Sequence, residues 1–242
     1  MKPLGDRTPM HQITAYTNSQ TDCVLPSFGM GETKFQRAIA TIMFTDVEDS
    51  TGLASALGLV ETTRFMIEHF TLTRQVVVAQ GGIVQNFTGD GVLALWLGSE
   101  MTPSETALKA LAAVAELVPE ISLGNAWKRS MGSLSRRIRI GLHSGEVMFV
   151  NDRQWDFSFL VGSEVNFARH VEQAGKRENG TGVDALVMVS GATLHLAGLA
   201  TASIDPYKLV RLTPAELAHR QSVDWRRPCS RSRTMARANV GL

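Results

Sequence analysis

Apolar positions change their spacing several times along the chain, and each change marks an element. Arg37 to Thr45 (RAIATIMFT) is a short apolar run rich in β-branched residues, which predicts a buried strand. Asp46 to Ser50 interrupts it with side chains suited to capping a helix. From Thr51 to Gln80 the pattern predicts a long amphipathic helix, broken near Gly58 and ended by Gly81 and Gly82. Two apolar runs, Ile83 to Phe87 and Val92 to Trp96, flank Gly89-Asp90-Gly91, and a D-G turn between such runs predicts a hairpin. Residues 102–122 form a second amphipathic helix, with a polar loop to Ser135. Arg137 to Leu142 and Glu146 to Val150 flank His143-Ser144-Gly145, which reads as a second hairpin. A strand over Phe157 to Val161, a helix over Ser163 to Ala174, a strand over Leu186 to Ser190 and a short helix over Gly191 to Ala197 complete the series. Hairpins alternating with helices indicate an α+β fold around one mixed sheet.

The two ends differ from this body. Residues 1–35 have no apolar period and read as an N-terminal arm; residues 36–215 form the globular domain and 216–242 a basic tail. From Trp225 to Leu242 there are five arginines and no acid, which suits either a solvated terminus or an electrostatic contact with a partner. With 44% hydrophobic and 19% charged residues, the 242-residue chain is not disordered throughout. Its formal charge of +1 supplies no global field for nucleic acid, so none is expected as a partner. Two cysteines, Cys23 and Cys229, build neither a disulfide framework nor a metal knuckle. The first twenty residues have no apolar signal region, and no window resembles a membrane span. A cytoplasmic protein that makes no membrane contact is the expectation.

Candidate chemistry collects where the first strand ends. Asp46 lies there, and Asp90 lies in the D-G turn. If their strands are neighbours, both carboxylates project at one solvent-facing edge. Two carboxylates with little else can hold Mg²⁺ or Mn²⁺ and leave positions for substrate phosphates. Backbone N–H groups of Glu48, Asp49, Ser50 and Thr51, opening a helix, can cradle phosphate oxygens. The alternative is local: Asp46 caps the helix and Asp90 makes the turn.

Four stretches taken together go further. Ile42-Met43-Phe44-Thr45-Asp46-Val47-Glu48-Asp49-Ser50-Thr51, Phe87-Thr88-Gly89-Asp90-Gly91-Val92, Arg139-Ile140-Gly141-Leu142-His143-Ser144-Gly145-Glu146-Val147 and Val161-Gly162-Ser163-Glu164-Val165-Asn166-Phe167-Ala168-Arg169 resemble the class III nucleotidyl cyclases, in order and spacing, over about residues 38–190. The resemblance implies a βαββαβ core working as a head-to-tail homodimer, with a nucleoside triphosphate bound between subunits. It makes Asp46, Asp90 and the carbonyl of Val47 the ligands of two divalent ions, Mn²⁺ or Mg²⁺. From the other subunit, Asn166 matches the asparagine that orients the ribose.

The departures from the family bear on substrate. The base-reading lysine or glutamate of purine cyclases is replaced by Asn86, which offers both a donor and an acceptor. Its polar partner is replaced by Phe159, which stacks but forms no hydrogen bond with a base. Each also suits a plainer role, Asn86 on a solvated strand and Phe159 in a core. The family's transition-state arginine falls on His170, with Arg169 one place earlier and about 100° round the helix. Asp49 stands near the phosphates where the family often has glycine. Loss of both purine readers resembles the Pycsar pyrimidine cyclases of antiphage defence, so a UTP cyclase, or less readily a CTP cyclase, is expected. The alternatives are an adenylate cyclase with a non-standard base site, and a metal-binding half-site that needs a heterologous cyclase partner.

Overall fold

A computed structural model describes residues 33–152, 157–177, 183–200 and 203–221. Residues 1–32 of the arm expected over 1–35, both cysteines and the arginine-rich stretch beyond Gln221 lie outside them, whereas residues 33–35 are described as strand. Chain order is β1 (Thr33–Val47), α1 (Ser50–Ala79), β2 (Ile83–Thr88), β3 (Gly91–Leu97), α2 (Pro103–Ser130), β4 (Ile138–Asp152), β5 (Phe157–Val161) and α3 (Ser163–Ala174). After a 3₁₀ turn come β6 (Ala185–Ser190), α4 (Gly191–Leu196), β7 (Leu209–Leu212) and α5 (Pro214–Gln221). The expected α+β class and βαββαβ core are present: β1-α1-β2-β3-α2-β4 leads the chain.

The mixed sheet has seven strands in the order β2-β3-β1-β4-β6-β7, with β5 on β4. Strand β1 lies at its centre because its two faces are both apolar. Met43 and Val47 join α1 and α2 in the larger core. Ala40, Ile42 and Phe44 face the other way, with Ala168 of α3 and, at the margin, Leu160 of β5. Helices therefore cover both faces, and Asp46, in step with Ile42 and Phe44, comes out on the α3 side.

The predicted break in α1 is real: Gly58 has φ 75° and ψ 172°. Helix α2 starts on a capping box, in which Thr102 accepts from the Glu105 amide at 3.2 Å and Glu105 takes the Thr102 amide at 2.7 Å. It runs on to Ser130, not 122. Tertiary bonds carry the extension, since Asn125 donates to the Arg136 carbonyl at 2.9 Å and Arg129 pairs with Asp184 at 2.6 Å.

The second hairpin is a correction. Strand β4 is continuous and pairs antiparallel with β1 from Thr33↔Asp152 to Val47↔Ile138. His143 and Ser144 are buried inside this strand rather than at a turn. His143 meets Ser190 at 2.8 Å and Glu164 at 2.6 Å; Ser144 meets Thr41 at 2.8 Å and Thr193 at 2.9 Å. Gly145 is needed for close packing, because a Cβ there would lie 2.6 Å from the Glu164 side chain.

Candidate active site

The β1–β3 ladder sets Asp46 opposite Gly91, so Asp90 comes to the end of β1. The Val47 amide donates to the Asp90 carbonyl at 3.2 Å. Gly91 makes this approach possible: a Cβ there would meet the Thr45 carbonyl oxygen at 2.0 Å. Gly89, at φ 66°, makes the turn. Ser50, the first residue of α1, donates its hydroxyl to Asp90 Oδ2 at 2.6 Å. The fold thus brings the two sequence-predicted carboxylates together at one sheet edge, with the start of a helix beside them.

The helix cap is Asp49, not Asp46. Asp49 is the one described non-glycine residue at positive φ, 53°, and its carboxylate accepts from the Gly52 amide at 3.2 Å. It also faces the Arg136 guanidinium at 3.6 Å, which offsets its charge at the start of the helix. The Glu48 amide donates to the Arg137 carbonyl at 2.9 Å, so of the expected phosphate cradle the amides of Asp49, Ser50 and Thr51 remain. The Glu48 carboxylate takes two bonds from Arg137, at 2.8 and 2.6 Å.

Asp46 does not face open solvent; it is 5% exposed. Arg139, opposite it on β4, forms an ion pair with its Oδ2 and gives its Nε to Glu172 at 2.8 Å. Arg169 stands 4.0 Å from Asp46 Oδ1, 3.7 Å from Glu172 and over the Phe44 ring at 5.3 Å. Two arginines, one buried and one half-buried, are thereby interleaved with two buried carboxylates, which keeps the charges tolerable in a place of low dielectric. Sequence reasoning missed Arg139 and Glu172. Arg139 lies within a quoted motif, but its place opposite Asp46 follows only from the strand register.

On the α1 side of β1, Thr45 accepts from the Val92 amide at 3.2 Å and bonds His69 Nε2 at 3.0 Å. Burial lowers the His69 pKa to about 4, against an opposing pull from Asp90. The ring is therefore neutral at pH 7, and the Thr45 hydroxyl is placed to donate to it. His69 is a supporting residue that holds Thr45 at the end of β1.

The residues assigned to the complementary half lie elsewhere. Asn166 and His170 are exposed on α3, while Arg169, between them and one position from His170, turns back onto its own Asp46. Asn86 on β2 is exposed, and Phe159 on β5 is 41% exposed, so neither is core. Between β2 and β5, the Gln85 amide donates to the Ser158 carbonyl and, at 3.2 Å, to its hydroxyl.

The donor set at the sheet edge fits a hard divalent cation: two carboxylates and one strand-end carbonyl, all oxygen. Among the described residues no three His, Cys, Asp or Glu side chains form a closed cage. An ion held by Asp46, Asp90 and Val47 would complete its shell with water or phosphate oxygens, as Mg²⁺ commonly does.

A family model described as the adenylate and guanylate cyclase catalytic domain matches residues 34–204. Adenylate cyclase 1 of Rhizobium meliloti (strain 1021) is 30% identical over 162 residues, which is 65% of this chain and 23% of that protein. The chain spans about a quarter of the length of the curated relatives it matches. Among solved structures, the guanylyl cyclase Cya2 is 25% identical with a TM-score of 0.57, covering 67% of this chain and 79% of that one. The adenylyl cyclase CyaB from P. aeruginosa has the same fold, with a TM-score of 0.60 at 19% identity, covering 73% of this chain and 93% of that one.

Proposed function

The chain belongs to the adenylate and guanylate cyclase catalytic domain family, and from that premise we propose that it converts a nucleoside triphosphate, preferably UTP, to the 3′,5′-cyclic nucleotide and pyrophosphate. The observation that carries this is the meeting of Asp46 and Asp90 at the end of β1, beside the first turn of α1. Two divalent ions on Asp46, Asp90 and the Val47 carbonyl, when bound, would supply an acidified ribose 3′-hydroxyl and charge neutralisation on the triphosphate.

The chain's own groups do the positioning. Amides at Ser50 and Thr51 open α1 toward the phosphate oxygens, and the Ser50 hydroxyl holds Asp90 in orientation. The ribose 3′-oxygen attacks the α-phosphorus in line, the bond to the β-phosphate's bridging oxygen breaks, and the hydroxyl proton passes to solvent. Asn166 and His170, exposed on α3, would act in the site of a second copy: Asn166 orients the ribose, and His170, when it carries a second proton, would offset charge that develops on the phosphate. Because Arg169 is engaged with Asp46 and Glu172, His170 is the better candidate for that cation. Exposed apolar side chains on β2 and β5, Phe87, Phe159 and Val161, support a homodimer that buries this face.

Base choice rests on Asn86 and Phe159. An amide pairs with the O4 or N4 edge of a pyrimidine, and the phenyl ring narrows the pocket against a two-ring base. UTP is favoured over CTP. The cyclic product would be a second messenger in antiphage defence, which the resemblance to the Pycsar enzymes supports. A second reading, an adenylate cyclase with an unusual base site, is favoured by the name of the 30% identical relative. Incubation with each nucleoside triphosphate and Mn²⁺, followed by chromatographic identification of the product, tests both: cyclic UMP supports the first and cyclic AMP the second.

A further inference from the structure

We propose that Gln85 tunes base selection by pinning β2 to β5, so that it acts as a positioning residue for Asn86 and Phe159; this rests on the nucleotidyl cyclase reading. In the sheet, β2 and β5 are not neighbours, since β3, β1 and β4 stand between them. No backbone ladder joins them directly, so a direct link between them must involve side chains. Gln85 lies where the β2–β3 register slips, between the pairs Val84↔Ala94 and Asn86↔Leu93. A residue in such a bulge has no partner of its own across the ladder, and its side chain can be aimed elsewhere. Here it reaches Ser158 of β5, donating to both the backbone carbonyl and the hydroxyl.

The orientation of the amide follows from its partner. A carbonyl oxygen only accepts, so the atom facing Ser158 must be Nε2. Gln85 Oε1 is then directed away and is buried without a hydrogen-bond partner among the described residues. A leucine of similar size would cover the same surface without stranding an acceptor. Packing alone therefore does not account for glutamine at this position, whereas a fixed link between two strands does. That link sits one residue before Asn86 on one strand and one residue before Phe159 on the other. A base held between those two side chains senses their separation, and displacements near 1 Å are enough to change rates by orders of magnitude.

The test is Gln85→Leu, compared with Ser158→Ala and wild type in the full chain with Mn²⁺. The readouts are kcat and KM for all four nucleoside triphosphates, calorimetric affinities for 3′-deoxy-UTP and 3′-deoxy-ATP, which lack the attacking hydroxyl, and the melting temperature. In Gln85→Leu the ratio of best to worst kcat/KM should fall at least about 5-fold, with KM carrying more of the loss than kcat. The affinity ratio of the two 3′-deoxy compounds should shrink in parallel, and Ser158→Ala, which keeps the carbonyl, should lie between. A folded Gln85→Leu protein with the wild-type base ratio in turnover and binding would overturn the proposal. If Gln85→Leu does not fold, an unchanged ratio in Ser158→Ala overturns it instead. The ratio is read whichever base the wild type prefers, so a preference for ATP would end the pyrimidine reading and leave this one intact.

Discussion

Asp46 on β1 and Arg139 on β4 stand directly opposite each other in the antiparallel ladder and form a buried ion pair. Asp90, in contrast, is half-buried in a turn, and its carboxylate accepts from Ser50. The two carboxylates thus share a proposed chemical role but differ in structural weight. One is part of a buried charge lattice with Arg139, Glu172 and Arg169; the other is a tethered side chain at the edge.

Asp90→Ala should leave the fold intact and reduce Mn²⁺-dependent turnover at least ~100-fold, as removal of a group that organises transition-state charge does. Asp46→Ala should lose turnover and also stability, by roughly 3 kcal/mol, because a buried arginine is left with one partner fewer. Thermal melts of the two variants beside their rates check this. Equal melting temperatures would refute the structural role of the Asp46–Arg139 pair.

His69 gives the protein an acid-sensitive term. In the unfolded chain it takes up a proton near pH 6.5, but in the fold only near pH 4. Between those values the unfolded state binds more protons, so stability rises with pH. The contribution is complete above about pH 6.5 and is lost as pH falls toward 4, amounting to roughly 3 kcal/mol over the window. Denaturant unfolding of wild type and His69→Gln across pH 4–7 should show a steeper fall for wild type. Parallel curves would contradict it.

A site shared between subunits should show complementation. Mixing Asp90→Ala with Asn166→Ala protein should restore roughly a quarter of wild-type activity, since half of randomly mixed dimers are mixed and each has one site free of lesions. Size-exclusion chromatography verifies the exchange. No recovery after verified exchange would mean that each chain carries a whole site or needs a different partner.

Much of this was legible in the sequence where local signals and tertiary demands agree. Gly89-Asp90-Gly91 makes a hairpin, Gly58 breaks α1, and Ser163–Ala174 is a helix, because turn chemistry and apolar period specify them locally. His143-Ser144-Gly145 has turn-like composition but lies within β4, where buried partners on β1, β6 and α3 satisfy its polar atoms. Such partners are distant in sequence and leave no local trace. The same holds at the site. The meeting of Asp46 with Asp90 followed from two strand ends, whereas the pairing of Asp46 with Arg139 depends on a register of fifteen residues, and the inward turn of Arg169 on the packing of α3. The short β7 and the capped α5 after it passed unseen, since four residues of strand carry little periodicity.

The most direct measurement is a competition: equal concentrations of UTP, CTP, ATP and GTP with Mn²⁺ and the purified chain, with the cyclic products quantified from one reaction. Product ratios then report relative kcat/KM. Cyclic UMP should dominate, with cyclic CMP second and the purine products minor, and all should vanish in Asp90→Ala. Cyclic AMP as the main product would contradict the base assignment, and no cyclic nucleotide from any of the four would contradict the catalytic reading of Asp46 and Asp90.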